Sequence, residues 1–300
     1  MVLPINGSGK FLKSAISSLQ NQEIPNPFEI IVVLDQVTSE VRLVLDQFQW
    51  SKLRLVKSER HGIAYAHNTG LEIAAYDFVA VVHSDDISLP NRFSTQSNLL
   101  QHNPEIVCVG GQLVLIDENG RPMGKSPYPI DPSHVRKAFR HKSAIPHPAA
   151  MYRREVALEV GGYRQQYAPA EDLDLWLRML DIGDMTNVES EIVQYRVHAK
   201  QTSQVSLSRQ SRAKVQVYWD RKHSNFSRNG YVTRAKILYL HFLAKGESSL
   251  VKCISYSKSG ACLFALASLF IAATINPLNT WRTAVDFVKV RFSIKRTLKS

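Results

Sequence analysis

Two stretches of sequence decide the fold of this chain: residues 28–35, FEIIVVLD, and residues 78–86, FVAVVHSDD. Each begins with a run of apolar, mostly β-branched residues, which is typical of a strand buried on both faces. Each run then ends in acidic residues, Asp35 in the first and Asp85 with Asp86 in the second. Because parallel sheets bind ligands beyond the carboxyl ends of their strands, the pattern predicts a site that these aspartates line.

The segments around these two runs alternate between strand and helix patterns. Apolar residues recur every three or four positions over residues 11–19, which predicts a helix. Further helices are predicted near residues 41–48 and over 63–75, and short strands at residues 2–4 and 53–56. This alternation predicts an α/β fold of Rossmann-like type, with a mostly parallel sheet and covering helices.

The pattern changes beyond about residue 104. Irregular segments that contain proline and glycine connect short strands up to about residue 150. An amphipathic helix begins at Glu171, and a strand is predicted over residues 188–197. From about residue 206 the sequence predicts only helices, and these are basic.

The charge of the chain is concentrated in this last region. The whole chain has 37 basic and 26 acidic residues. Residues 207–300 hold 17 basic and 3 acidic residues, a net charge of +14, and residues 1–206 hold 20 and 23, a net charge of −3. A basic region of this kind favours an anionic partner, either a nucleic acid or the surface of a membrane.

An apolar run within the basic region favours the membrane. Residues 260–275 form an apolar segment of 16 residues, whereas a membrane-spanning helix needs about 20. We therefore expect peripheral membrane contact through residues 250–300, with a packed core helix as the alternative. The sequence shows no secretory signal, and its three scattered cysteines indicate a reducing compartment. These features predict a cytoplasmic protein at the inner face of the cell membrane.

Two acidic clusters could carry chemistry. Adjacent carboxylates at Asp85 and Asp86 repel each other unless a cation is present, and oxygen ligands favour Mg²⁺ or Mn²⁺. Capping of the helix that follows is an equally good explanation of this pair. Glu171 and Asp172 open the amphipathic helix, where they could act as a general base or could simply complement the positive end of the helix. The GSGK segment that ends at Lys10 lacks the spacing of a nucleotide-binding phosphate loop.

Taken together, the sequence resembles a family 2 glycosyltransferase of the GT-A fold, of the kind found in bacterial polysaccharide clusters. The similar stretches occur in the order of the family and cover about residues 1–206. They are VLPINGSGKFLKSAISSLQNQ, FEIIVVLDQVTSE, RHGIAYAHNTGLEIAAYDFVAVVHSDDISLPNRF, IPHPAAMYRREVALEVGGYR, AEDLDLWLRML and VQYRVHAKQTS. The resemblance implies a GT-A domain over residues 1–206, with a nucleotide-sugar half at about 1–104 and an acceptor half at about 105–206. A helical, basic region over residues 207–300 follows it.

The resemblance also implies which residues bind the nucleotide sugar. Pro4 and Asn6 match the loop that contacts the nucleotide base, and Asp35 matches the aspartate that hydrogen-bonds a uracil ring. The segment that borders the nucleotide sugar is matched by His61, Gly62 and Asn68.

Metal and catalytic residues follow from the same resemblance. Asp85 matches the metal-binding carboxylate of the Asp-x-Asp motif, Asp86 matches its neighbour that faces the donor, and His198 lies where some relatives place another metal or pyrophosphate contact. Asp172 matches the general base and Glu171 its usual companion. Trp176 and Arg178 match the helix beneath them.

The sequence departs from the family pattern at three places. His83 stands where the family has the first aspartate of Asp-x-Asp. Its imidazole can still bind the donor complex, by ligating Mn²⁺ or by contacting the ribose, but this position brings no negative charge. The usual Asp-Asp-Gly-Ser is replaced by Leu-Asp-Gln-Val over residues 34–37, and only Asp35 is kept. The chain also begins almost inside the first predicted strand, where the family usually has several residues before the proline.

The resemblance therefore implies an inverting, metal-dependent glycosyltransferase. Its donor would be a nucleotide sugar, most simply a UDP-sugar, its cofactor Mn²⁺ or Mg²⁺, and its acceptor a glycan or a lipid-linked glycan of the cell surface. Two alternatives remain open from the sequence. One is a degenerate GT-A domain that binds nucleotide or glycan without catalysis, which His83 suggests. The other is a nucleic-acid-binding protein. The basic region lacks the interleaved aromatic residues typical of nucleic-acid-binding surfaces, so we expect no nucleic acid as a partner.

Overall fold

A computed structural model describes residues 1–7, 9–140, 142–199, 201 and 207–223. Contacts divide the chain into two units, residues 1–210 and residues 211–300. The apolar run at 260–275 and most of the predicted helical, basic region lie outside the described residues. Among the helices of the described residues, none is long and apolar enough to cross a membrane.

The first half of unit 1 is the predicted parallel sheet. Strand β1 pairs with β2, and β2 with β3, all in parallel. A parallel bridge between Val2 and Val81 connects β1 to the chain that continues β4. The elements of this half are β1 (Val2–Gly7), α1 (Leu12–Gln20), β2 (Ile30–Val37), α2 (Ser39–Leu45), β3 (Leu53–Lys57), α3 (Ile63–Ile73) and β4 (Phe78–Ala80).

The second half of unit 1 contains a mixed sheet in the order β4-β8-β6-β9-β5, with β7 paired to β6. Strand β8 is antiparallel to both β4 and β6, whereas β6 and β9 run parallel. The elements of this half are β5 (Ile87–Ser88), α4 (Arg92–His102), β6 (Ile106–Ile116), β7 (Pro122–Ser126), α5 (Pro132–Ala138), β8 (Met151–Arg153), α6 (Arg154–Glu159), α7 (Glu171–Met179) and β9 (Asp184–Arg196). After it comes α8 (Leu207–His223).

The structure confirms the α/β fold and the buried character of β2. Residues Ile30–Val33 are fully buried, as the continuous apolar run predicted, and the apolar face of α1 packs beneath the same sheet. Removing these side chains from water supplies the main favourable term for the sheet–helix layers.

Strand β6 is the main difference from the expectation of short strands in irregular segments. It runs unbroken through Gly110 and Gly111, residues of a type that is depleted in strands. Here the missing side chains are a packing requirement, because a Cβ at Gly110 would overlap Asn187 and one at Gly111 would overlap Ile192. The missing side chains let the neighbouring strand β9 lie close against β6. Strand β9 begins at Asp184, four residues before the predicted position at 188.

Gly70 provides a test of how closely α3 packs on β1. A Cβ at Gly70 would overlap the side chain of Val2, which is buried. We expect Gly70→Ala to lower the free energy of unfolding by about 1–3 kcal/mol because of overpacking. This is opposite in sign to the gain of about 1 kcal/mol that alanine gives over glycine in an unconstrained helix.

Urea unfolding of Gly70→Ala, Val2→Ala and the double variant measures the coupling. Because Val2→Ala removes the overlapping methyl groups, the double variant should be less destabilised than the sum of the two single variants. Strict additivity would show that α3 can move away from β1 without cost.

Candidate active site

Asp35 lies at the carboxyl end of β2 and is almost completely buried. Its Oδ2 accepts hydrogen bonds from Asn6 Nδ2 at 3.2 Å and from the Gly62 amide at 3.0 Å, and its Oδ1 lies 2.9 Å from His61 Nδ1. Burial alone would raise the pKa of Asp35, but the hydrogen bonds from His61, Gly62 and Asn6 outweigh it and lower the pKa. The carboxylate is therefore held ionised in a buried setting.

The turn that begins α3 is shaped around this carboxylate. Gly62 has a φ of +131°, and a Cβ at this position would overlap the side-chain amide of Gln165. The same Gln165 accepts a hydrogen bond from the Ala64 amide at 3.1 Å, which caps the first turn of α3. Gln165 was not predicted from the sequence, since an isolated glutamine in an irregular segment gives no signal.

Pro4 and Asn68 lie further from the Asp35 carboxylate. Pro4 is part of β1, opposite Val33. The side-chain amide of Asn68 makes two 2.8 Å hydrogen bonds, one to the carbonyl and one from the amide of Tyr163. Asn68 thus anchors the 161–164 turn to α3, and this accounts for its polarity without a ligand.

A second group of polar side chains follows β4. His198 Nε2, just beyond β9, lies 3.0 Å from Asp85 Oδ2, and His83 Nδ1 lies 3.6 Å from Asp86 Oδ2. Arg196 donates its amide to Asp86 Oδ1 at 2.8 Å and its Nε to the Asp85 carbonyl at 3.0 Å. The structure thus brings together the four residues predicted from the resemblance and adds Arg196, which holds the end of β9 beside them.

The electrostatics of this group fit a cation. Asp86 is almost completely buried, and its Oδ2 has no hydrogen-bond partner among the described residues. Burial and then the neighbouring charge of Asp85 raise the pKa of Asp86 well above its ordinary value. A divalent ion would relieve both effects, and carboxylate oxygens with imidazole nitrogens form a donor set that Mn²⁺ accepts.

Glu171 and Asp172 lie in the first turn of α7, with different environments. Asp172 is half-buried, and its charge contributes to raising the pKa of Tyr128 and of Tyr163, after the larger effect of burial. Glu171 is 8% exposed, and burial followed by the charge of Asp172 raises its pKa to about 8. Burial of Glu171 therefore outweighs the field of the helix N-terminus, which by itself would favour the ionised carboxylate.

The rest of α7 is fixed by an ion-pair network that the sequence analysis missed. Asp174 is buried and pairs with Arg164 and with Arg178. Arg178 also donates to the carbonyls of Val160 and Gly162. On the opposite side, Trp176 is fully buried, with its ring 5.9 Å from that of His147 and 5.6 Å from that of Tyr152. These contacts hold the start of α7 in position.

Comparison with known families identifies this arrangement. The sequence profile of Glycosyl transferase family 2 matches residues 1–161, more than half of the chain, and the chain belongs to that family. The chain is therefore a glycosyltransferase, with a role in polysaccharide or glycan biosynthesis.

Individual relatives agree with this assignment. The amylovoran biosynthesis glycosyltransferase AmsE of Erwinia amylovora is 28% identical over 212 residues, which is 69% of this chain and 78% of AmsE. A UDP-Gal:alpha-D-GlcNAc-diphosphoundecaprenol beta-1,3-galactosyltransferase of Escherichia coli is 28% identical over 202 residues, 65% of this chain and 72% of the enzyme.

The fold is shared with solved structures. The mannosyltransferase PcManGT of Pyrobaculum calidifontis, in complex with GDP-Man and Mn²⁺, superposes with a TM-score of 0.58 at 17% identity. The match covers 94% of this chain and 82% of that one. This confirms the GT-A architecture that the sequence resemblance implied.

The raised pKa of Glu171 has a consequence for stability. Between its unfolded pKa, near 4.5, and its folded pKa, near 8, the folded state binds the proton more strongly than the unfolded state. The contribution of Glu171 to the free energy of unfolding is therefore fully present below pH 4.5 and is lost as the pH rises toward 8. Glu171→Gln removes the ionisation, so we expect its stability relative to wild type to rise over this interval by on the order of 1 kcal/mol per pH unit.

Thermal or urea unfolding of wild type and Glu171→Gln at pH 5, 6.5 and 8 measures this difference. Glu159→Gln, at an exposed glutamate near the end of α6, is the matched control and should show no such trend. A stability difference for Glu171→Gln that stays constant with pH would show that Glu171 is ionised in the folded protein.

Proposed function

We propose that this protein is an inverting, metal-dependent glycosyltransferase that transfers a sugar from a nucleotide sugar to a glycan or lipid-linked acceptor. The observation that carries the proposal is the row of acidic groups after β2 and β4. Asp35 lies near the end of β2, and the Asp85–His198 and His83–Asp86 pairs follow β4, with β1 paired to β2 and bridged to the chain that continues β4. Groups at this edge of the sheet could recognise a nucleoside and hold a cation for its diphosphate.

Asp35 is suited to a nucleobase that donates hydrogen bonds. A uracil ring presents an N–H donor, and a buried carboxylate with a lowered pKa is a strong acceptor for it. Three donors already occupy the carboxylate, but the His61 side chain is 63% exposed and can turn away to admit a ligand. The Escherichia coli relative is named for UDP-Gal, whereas PcManGT is described with GDP-Man, so the family supports a nucleotide sugar and UDP is our specific proposal.

The residues after β4 would hold the metal. Asp85 and Asp86 offer carboxylate oxygens, and His198 offers a ring nitrogen next to them. Bound Mn²⁺ or Mg²⁺ would offset the negative charge that develops on the departing diphosphate. Arg196 supports this site by fixing the backbone of Asp85 and one oxygen of Asp86.

Asp172 is the proposed general base. In a single displacement, the acceptor oxygen forms a bond to the anomeric carbon, the bond from that carbon to the diphosphate oxygen breaks, and the acceptor proton passes to the Asp172 carboxylate. One displacement inverts the anomeric centre. The raised pKa of Glu171 favours its neutral form, and this helps Asp172 to stay ionised because a second negative charge beside Asp172 would raise the pKa of the base.

The acceptor and the place of action are further parts of the proposal. The name of the Escherichia coli relative specifies an acceptor linked to diphosphoundecaprenol, a lipid. A lipid-linked acceptor would make membrane contact through residues 250–300 useful, at the inner face of the cell membrane. The basic residues of that region would supply attraction to anionic lipids.

Substitution of the base tests the mechanism. We expect Asp172→Asn to lower kcat by about 10²–10⁴-fold, the usual contribution of base catalysis, and to leave the Kd for the nucleotide unchanged. The assay uses whichever of UDP-Gal, UDP-GlcNAc and GDP-Man the wild type turns over with a diphospholipid-linked glycan as acceptor. Asp46→Asn, at an exposed aspartate at the end of α2, is the control. Full turnover by Asp172→Asn would remove Asp172 from the mechanism, and retained anomeric configuration in the product by NMR would exclude single displacement.

Nucleotide binding tests the donor site independently of any acceptor. Thermal unfolding is followed with UDP, GDP and dTDP, each with and without Mn²⁺, for wild type and Asp85→Ala. A ligand at 100 times its Kd adds about 2.7 kcal/mol to the free energy of unfolding. We expect a Mn²⁺-dependent increase in Tm with UDP that is lost in Asp85→Ala. The same increase with GDP alone would overturn the UDP assignment, and no increase with any nucleotide would favour a degenerate domain.

A further inference from the structure

Three histidines meet behind the carboxylate pair. They come from separate parts of the fold: His67 from the middle of α3, His83 from the segment after β4, and His147 from the short turn before β8. Each ring offers one nitrogen, and the three nitrogens lie within 4.8 Å of one another. His83 Nε2 and His147 Nδ1 are 3.0 Å apart, and the ring centroids of His67 and His147 are separated by 4.8 Å.

Histidines in a protein core usually have partners for their nitrogens, and His67 does not follow this rule. It is 1% exposed, and its Nε2 has neither solvent nor a hydrogen-bond partner among the described residues. One face of the ring stacks on Tyr163, with centroids 4.7 Å apart. A buried imidazole nitrogen without a partner is costly, and the observation therefore points to a ligand that the ring would bind.

We propose that His67, His83 and His147 form a binding site for a transition-metal ion of the Zn²⁺ type, which includes Co²⁺ and Ni²⁺. Imidazole nitrogens favour these ions, whereas Mg²⁺ favours oxygen ligands. Three histidines leave a fourth tetrahedral position for a water molecule or another ligand. The site lies beside the carboxylates of Asp85 and Asp86, and these offset the charge of the ion.

The surroundings of the rings contain the outer partners that such a site needs. Metal-binding histidines usually hydrogen-bond through their other nitrogen, which fixes the ring and directs the lone pair to the metal. His147 Nε2 lies 3.1 Å from the Tyr163 hydroxyl, so a proton on this nitrogen leaves Nδ1 with its lone pair toward His83. His83 Nδ1 faces Asp86 Oδ2 at 3.6 Å, just beyond hydrogen-bond distance, and this oxygen is one of the unpartnered buried atoms.

His83 therefore has two faces with different chemistry. Its Nδ1 side faces the carboxylate pair, and its Nε2 side faces the other two imidazoles. In the metal-free protein the short contact between His83 and His147 requires a proton on one of the two nitrogens. Binding of the ion would displace that proton and place the His83 proton on Nδ1, directed at Asp86. An aspartate at position 83 could not connect the two groups in this way.

Binding of Co²⁺ to untagged, chelator-treated protein tests the proposal. Tetrahedral Co²⁺ with nitrogen ligands gives intense visible absorption, whereas octahedral Co²⁺ with oxygen ligands gives weak absorption. We expect one equivalent of Co²⁺ to give the intense bands, and Zn²⁺ to abolish them by displacement. The Kd for Co²⁺ should rise at least tenfold in both His67→Leu and His147→Gln.

Three further variants define the site: two separate it from other histidines and carboxylates, and the third tests an outer partner. Asp85→Ala should keep the intense bands, and so should His102→Gln, at the last residue of α4, whose Nδ1 lies 2.8 Å from the Asn98 carbonyl oxygen of the same helix. Tyr163→Phe should weaken binding by about tenfold, since it removes the outer partner of His147. Thermal unfolding checks that each variant is folded, and His147→Gln remains decisive if His67→Leu fails to fold.

Three results would overturn the proposal. The first is the absence of intense bands in the wild type. The second is bands that survive in both folded histidine variants, and the third is bands that are lost in Asp85→Ala while they persist in His147→Gln.

Discussion

Burial of carboxylates at the ends of strands is the constraint on which the rest of this structure depends. Asp35 and Asp86 are both about 3% exposed, and a buried carboxylate must be hydrogen-bonded, paired or protonated. Asp35 is compensated by three donors from β1 and the α3 turn, so its pKa is lowered. Asp86 has one donor and, among the described residues, one unpartnered oxygen, and burial together with the charge of Asp85 raises its pKa. The difference distinguishes a carboxylate whose negative charge is compensated within the protein from one whose charge is not, and this contrast is the basis of the two roles proposed for them.

His83 connects the two kinds of chemistry in this site. The replacement of a family aspartate by histidine first suggests a weakened metal site, because one negative charge is absent. The structure shows that the ring is in contact with groups on both sides, Asp86 on one and His147 on the other. The substitution therefore changes which donor atoms meet at this position, from oxygen alone to oxygen and nitrogen. This change favours borderline metals over Mg²⁺.

The sequence predicted the parallel half of the fold better than the mixed half. Continuous apolar runs and helical periodicity are local signals, and β2, α1 and α3 were found within two residues or so of their predicted positions. The long strand β6 was not predicted as one element, because Gly110 and Gly111 carry no strand signal and need Asn187 and Ile192 beside them to be explained. Asn68 is a similar case, since its bonds to Tyr163 join residues that are 95 positions apart.

The sequence by itself determined the fold class, the family resemblance and the placement of aspartates at strand ends. These features depend on residue type and on spacing within one segment, and both can be read from the sequence. Only the tertiary structure decided how burial shifts the pKa of each carboxylate. It also decided that Gln165 bonds to the first turn of α3, that Arg196 bonds to Asp85 and Asp86, and that three histidines from distant segments meet. Burial, pKa and metal geometry depend on distances between residues far apart in the chain. The sharpest case is Glu171, which has the helix position of an ionised group but a buried environment that raises its pKa.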